Sequence, residues 1–187
     1  MVIDREAEDE LSMEKVINDK GYFDKYGEWN SIIRCRRYPG LLFRGRVEIF
    51  IFRHDLVYVL QTHDGYRLPG GSFDIRRSNH DQAYEECKEE ARIIIKNIKY
   101  TGISYHKISN TKYVSDSNKR ISWDGTYNKV YTADFAGDYT GKVDPHCRDE
   151  YMYRYGRFIP IFDIYDRLIP EHKLALESKL SVMKGDV

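Results

Sequence analysis

The sequence predicts an α/β fold, and three stretches carry that prediction. From Arg46 to Phe52, Val47, Ile49 and Ile51 fall on one side, with Glu48, Phe50 and Phe52 on the other. After a His54-Asp55 turn, Val57 to Gln61 reads as a buried strand, so the pair forms a hairpin. The period then changes: Ala83, Tyr84, Cys87, Ala91 and Ile94 recur every three or four residues, which marks one buried face of a helix. From Tyr127 to Phe135 the alternation returns. Strands on both sides of an amphipathic helix call for a sheet with helical cover.

Taken in order, residues 1–20 open with an acidic run, Asp4 to Glu10, followed by Leu11, Met13, Val16 and Ile17. This predicts an amphipathic helix that either covers a sheet edge or meets a second copy in a homodimer; a solvated acidic face is the ordinary state of such a run. Gly21 to Leu42 holds Tyr22, Phe23, Tyr26, Trp29 and Tyr38, the basic group Arg34, Arg36 and Arg37, and a short strand at Ile32-Ile33. Residues 1–42 are thus an N-terminal extension, an acidic helix plus a short strand, ahead of a domain spanning 43–187. Arg44 and Arg46 stand where the first long strand begins and could reach phosphates.

Leu68-Pro69-Gly70-Gly71 closes the hairpin in a turn, where glycines permit backbone paths closed to other residues. The helix follows, with Ser78 as its cap and Asp81 three residues on, close to a capping box. Beyond it, Ile98, Tyr100, Ile103, Tyr105 and Ile108 predict a strand interrupted at Gly102, then a polar, mobile loop over 110–125. A second polar loop runs from Asp138 to Glu150, before a strand over Arg157–Phe162. Pro170-Glu171 opens a last helix carrying Leu174, Leu176 and Leu180.

Composition excludes several classes. Thirty basic and thirty acidic residues balance, which argues against a large nucleic-acid surface or a membrane patch. Cys35, Cys87 and Cys147 are scattered and odd in number, so neither a disulfide framework nor a zinc site is indicated. No basic-then-apolar leader and no long apolar run is present, and the expected compartment is cytoplasmic. Six lone histidines show no ligand spacing.

The chemistry concentrates on the helix. Glu86, Glu89 and Glu90 lie side by side at helical spacing, where like charges destabilise an isolated helix by a few tenths of a kcal/mol per pair, roughly. Acidic clusters most often lie on solvated faces. The other reading is a hard-cation site, since Mg²⁺ takes oxygen ligands and bridges to phosphates, and the Gly-Gly corner just upstream lets main-chain oxygens approach a metal.

Laid without gaps from Gly71, this stretch resembles the signature of the Nudix hydrolases, G-x5-E-x7-R-E-U-x-E-E-x-G-U with U aliphatic. The signature falls on Gly71, Arg77, Glu85, Glu86, Cys87, Glu89, Glu90, Arg92 and Ile93. Glu86, Glu89 and Glu90 match the family's metal-binding glutamates, whereas Arg77, Glu85 and Arg92 depart from its letters. Arg77 and Glu85 carry the family's two bracing charges exchanged, so an ion pair of reversed polarity is expected, with two ordinary surface charges as the alternative.

The resemblance implies a Nudix-like α/β/α sandwich with a central mixed sheet. It implies a pyrophosphohydrolase acting on a nucleoside diphosphate linked to another moiety, with Mg²⁺ or Mn²⁺ on Glu86, Glu89 and Glu90 and the Gly70 carbonyl. One of those glutamates, or Glu150 with Asp149 behind it, would be the general base, and Arg44, Arg46 and Gly71 would meet a small nucleotide derivative. The alternative is a Nudix-fold nucleotide-binding or regulatory module that hydrolyses nothing; the Arg77 and Arg92 departures favour it and the three glutamates oppose it.

Overall fold

A computed structural model describes residues 21–23, 29–34, 38–62, 65–74, 77–116, 119–141, 156–168 and 173. The expected N-terminal helix, the Asp149-Glu150 pair and, Lys173 aside, the last helix lie outside the described residues. The strands are β1 (Tyr22–Phe23), β2 (Trp29–Asn30), β3 (Ile32–Ile33), β4 (Phe43–Arg53), β5 (Leu56–Thr62) and β6 (Gly65–Arg67). Helix α1 (Asn79–Ala91) follows, then β7 (Ile93–Asp116), β8 (Lys119–Asp138), β9 (Gly156–Pro160), the short helix α2 (Ile161–Ile164) and a 3₁₀ turn at Tyr165–Arg167.

Among the described residues, β6-β5-β4-β8-β7 form the main path of one sheet, with β3 added on β4 and β9 on β5. The sheet is mixed because β4 and β8 run parallel, from Phe43 opposite Gly125 to Phe52 opposite Asp134, while its other pairs are antiparallel. A parallel pair needs a long crossover. Here β5, β6, α1 and β7 all lie between its two strands.

Alternation along the central strands builds a core on each face. Val47, Ile49 and Ile51 of β4 join Tyr127, Tyr131 and Ala133 of β8, and Ala83, Cys87 and Ala91 of α1 cover them. On the opposite face Phe50, Val57, Val59 and Val130 pack under Ile164 of α2 and Leu168. Each such fully buried aliphatic or aromatic side chain contributes about 1.5–3 kcal/mol. Helix α1 therefore covers one face of the sheet, and the short α2 with the 3₁₀ turn covers part of the other.

The β7–β8 hairpin departs from expectation. The polar stretch expected as a loop over 110–125 is strand on both arms, paired from Lys112 opposite Trp123 to Asp116 opposite Lys119. Hydrophobic period reports burial rather than backbone, and a ladder closes its hydrogen bonds whether or not its side chains are apolar. Gly102 does not interrupt the strand. It marks a register shift between Tyr100 and Gly102, the place a bulge suits a residue without a side chain.

Candidate active site at the glycine corner

Pro69 to Phe73 lies extended beside β4. Ile49 donates its amide to the Pro69 carbonyl at 2.9 Å, Val47 to that of Gly71 at 3.0 Å, and Phe73 to that of Gly45 at 3.1 Å. The two central glycines are required for different reasons. A Cβ on Gly70 would fall 2.0 Å from the Val47 carbonyl oxygen, so this residue is pressed onto the strand backbone. A Cβ on Gly71 would fall 1.9 Å from Oε1 of Glu86, so that glycine makes room for a carboxylate from the helix.

Glu90 reaches the same corner. Its Oε2 accepts the Gly70 amide at 2.7 Å, and the residue is only 8% exposed. Glu86 and Glu90, one helical turn apart, thus both approach the Gly70-Gly71 pair. Cys87, on the buried side of the same helix, is driven well above the usual thiol range by burial, then by the charges of Glu86 and Glu90. It stays a neutral packing group. Glu89 is half-buried on the same helix.

Two braces fix the loop to the helix. Gln82, 3% exposed, takes the Asp74 amide on Oε1 at 2.6 Å and donates from Nε2 to the Asp74 carbonyl at 2.9 Å and that of Arg77 at 3.2 Å. Arg77 and Glu85 form an ion pair with about half of each side chain exposed. That contact, first of its causes, holds the Arg77 guanidinium above its usual pKa. Ser78 caps the first turn, its Oγ accepting the Asp81 amide at 3.5 Å. Gln82 is the residue sequence reasoning missed: a glutamine in a first helical turn carries no distinguishing letter, and only its burial reveals the clasp.

The arginines divide. Arg46 Nη2 lies 3.4 Å from the Gly70 carbonyl, so Gly70 is held through its amide by Glu90 and through its carbonyl by a guanidinium. Arg44 is turned toward structure: Nε donates to Asn30 Oδ1 at 2.9 Å and Nη2 to Ser72 Oγ at 2.9 Å, tying the loop to β2. Two charged residues that alternation alone did not single out are buried beside the corner, Glu48 of β4 at 1% and Lys129 of β8 at 2% exposure. The Lys129 ammonium lies 4.9 Å from the centre of the Phe73 ring.

Arg92 stands where the signature has glycine, and the backbone explains that glycine. The residue ends α1 in the left-handed region, φ 56° and ψ 39°, with its amide bonded to the Cys87 carbonyl. A side chain there costs about 1–2 kcal/mol relative to glycine. Its carbonyl accepts the Tyr139 amide at 2.8 Å, and its Nη1 donates to the Gly141 carbonyl at 3.1 Å.

For a hard divalent cation the donor chemistry fits, since the Glu86 and Glu90 carboxylates and the Gly70 carbonyl offer oxygen alone. Among the described residues no three His, Cys, Asp or Glu side chains converge as a ready cage. Two of the three matched glutamates meet at the corner, and Glu150 lies outside the described residues.

No protein-family model matches the chain, and no curated protein matches it either. Solved structures do. A mutator MutT protein from Bacillus halodurans is 18% identical, with a TM-score of 0.50 over 71% of this chain and 78% of that one. The E. coli ORF135 protein is 14% identical over 74% and 89%, TM-score 0.49. A NUDIX hydrolase from Nitrosomonas europaea is 15% identical over 66% and 76%, TM-score 0.48. At such identity the likeness to the MutT protein concerns the fold alone, and it agrees with the mixed sheet. The chain has the fold of the Nudix hydrolases.

Proposed function

We propose that the protein is a metal-dependent pyrophosphohydrolase acting on a nucleoside diphosphate linked to another moiety. The observation that carries this reading is the meeting of Glu86 and Glu90 at the Gly70-Gly71 corner. Glu86, Glu89 and Glu90, with the Gly70 carbonyl, would hold Mg²⁺ or Mn²⁺. When bound, such an ion neutralises pyrophosphate charge and acidifies a water.

The chain's own residues do the rest. Gly70, fixed by Glu90 and pressed against Val47, keeps its carbonyl in place without reorganisation. Arg46, already at that carbonyl, would pair with a substrate phosphate, and Gly71, lacking a side chain, makes room for the Glu86 carboxylate beside it. A glutamate takes the proton of the attacking water, either from α1 or from Glu150. Arg44, tied to Asn30 and Ser72, would contribute by holding the loop.

The test is turnover of a nucleotide panel (nucleoside triphosphates, ADP-ribose, dinucleoside polyphosphates, NADH) with Mg²⁺ and with Mn²⁺, run beside Glu89→Gln and Glu90→Gln proteins. Metal-dependent release of phosphate or a mononucleotide, lost in the variants, supports the reading. No turnover together with no metal binding would leave a nucleotide-binding module of the same fold.

A further inference from the structure

At the C-terminal end of α1 lies an open cleft of about 550 Å³, bounded by that helix end, the tip of the β4–β5 hairpin and the ends of β8 and β9. The size suits a mononucleotide. None of Glu86, Glu89, Glu90, Gly70 or Gly71 is on its wall.

The wall is aromatic and basic. The Phe135 and Phe158 rings meet edge to face with centroids 5.3 Å apart, and the Arg53 guanidinium lies 5.3 Å from the first and 5.9 Å from the second. Arg92 also lines the cleft, and its exposed guanidinium donates to the Gly141 carbonyl. Tyr139 lines the cleft too, and the Lys88 ammonium sits 5.5 Å from its ring. Asp138 is the acidic group on the wall, while Arg157 directs its guanidinium to the Tyr66 hydroxyl.

Arg92 gives the cleft its argument. The backbone there favours glycine, yet the chain carries a charged side chain in the strained position, and strain of this kind concentrates where a side chain has a task. Guanidinium groups recognise phosphate, and aromatic faces with a stacked arginine recognise a base. A bare phosphate would leave the rings unused, and an uncharged aromatic would leave the cations unused.

We propose that this cleft is a second ligand site that binds a nucleoside monophosphate, with its phosphate on Arg92 and its base against the Arg53, Phe135 and Phe158 surface. Asp138 then accepts hydrogen bonds from the sugar or base.

The test is calorimetric titration of the full chain with AMP in the presence of EDTA, beside adenosine and inorganic phosphate. Wild-type protein is expected to bind AMP more tightly than either fragment. Arg92→Gly, which relaxes the backbone and so preserves the fold, weakens AMP by about tenfold, as does Arg53→Ala. Absence of AMP binding, equal affinity for phosphate alone, or undiminished binding by Arg92→Gly would each overturn the proposal. Because no metal or turnover enters the measurement, its failure is separate from failure of the hydrolase reading.

Discussion

Gly70 donates its amide hydrogen to the Glu90 carboxylate at 2.7 Å, in a place almost closed to water. Glu90→Gln keeps an acceptor for that amide and removes the charge. We expect it to fold, with stability within about 2 kcal/mol of wild type, and to lose hydrolysis by about a hundredfold or more. Glu90→Ala strands a buried amide and loses a further 1–3 kcal/mol or so. Urea unfolding run beside turnover separates the two: equal destabilisation by Gln and Ala would mean that the hydrogen bond is not what holds the loop.

The neighbouring glycines should respond differently to the same change. In Gly70→Ala the new methyl meets the Val47 backbone carbonyl, which cannot yield without breaking the loop–strand pairing. A loss of about 3 kcal/mol or more is expected. In Gly71→Ala it meets the end of the flexible Glu86 side chain, which swings away. That variant should keep its stability within about 1 kcal/mol and lose activity, because Glu86 leaves the corner. The pair of thermal melts with the pair of rates decides it.

Arg77 and Glu85 meet across the loop, with charges exchanged relative to the family signature. Both are about half exposed, which limits their coupling to roughly 0.5 kcal/mol after solvent screening. Arg77→Glu should destabilise the loop, and Arg77→Glu with Glu85→Arg should restore it. A double-mutant cycle at low salt reads the coupling, and a value of zero would reduce the pair to two surface charges.

Much of this was legible in the letters because burial writes a period. Ala83, Cys87 and Ala91 recur at helical spacing because they face the sheet, and Val47, Ile49 and Ile51 alternate because they meet that helix. What escaped has no period. Glu89 and Glu90 are the same letter, but about 100° of helical turn between them puts Glu90 under Gly70. Gln82 acts through main-chain groups of the loop just before its helix, and Arg44 through side chains far away in sequence, neither of which a hydrophobic period encodes. The polar arms of β7 and β8 read as loop because strand hydrogen bonding leaves no mark on composition.

Arg92→Gly should stabilise the protein. The residue sits at φ 56° and ψ 39°, where glycine escapes the clash between Cβ and backbone. Against a gain of about 1–2 kcal/mol stands the exposed hydrogen bond to Gly141, whose loss costs a few tenths to about 1 kcal/mol. A net gain near 1 kcal/mol, a rise of a few degrees in Tm for a domain of this size, is expected by calorimetry. A fall in Tm would mean that the side chain anchors the end of α1 more strongly than its exposure suggests.

Tyr58 carries the pH dependence. Its ring lies against Phe158, its hydroxyl donates to the Ala91 carbonyl at 3.3 Å, and a Cβ on Gly156 would fall 1.7 Å from that hydroxyl. Burial first, then the negative charge of Asp138, push its pKa up from 10.0 to about 12. The unfolded chain therefore releases this proton at lower pH than the folded one. The stability it confers is fully present below about pH 10 and is lost as pH rises toward 12, at about 1.4 kcal/mol per pH unit. The buried Cys87 thiol, also raised, has the same sign and begins to act nearer pH 9. Tyr58→Phe should lower stability at pH 8 by about 1 kcal/mol through the lost hydrogen bond and remove the loss between pH 10 and 12 while leaving that of Cys87. Urea midpoints for both proteins from pH 8 to 11.5 measure it: parallel curves would show that Tyr58 ionises as freely in the folded protein as in the unfolded chain.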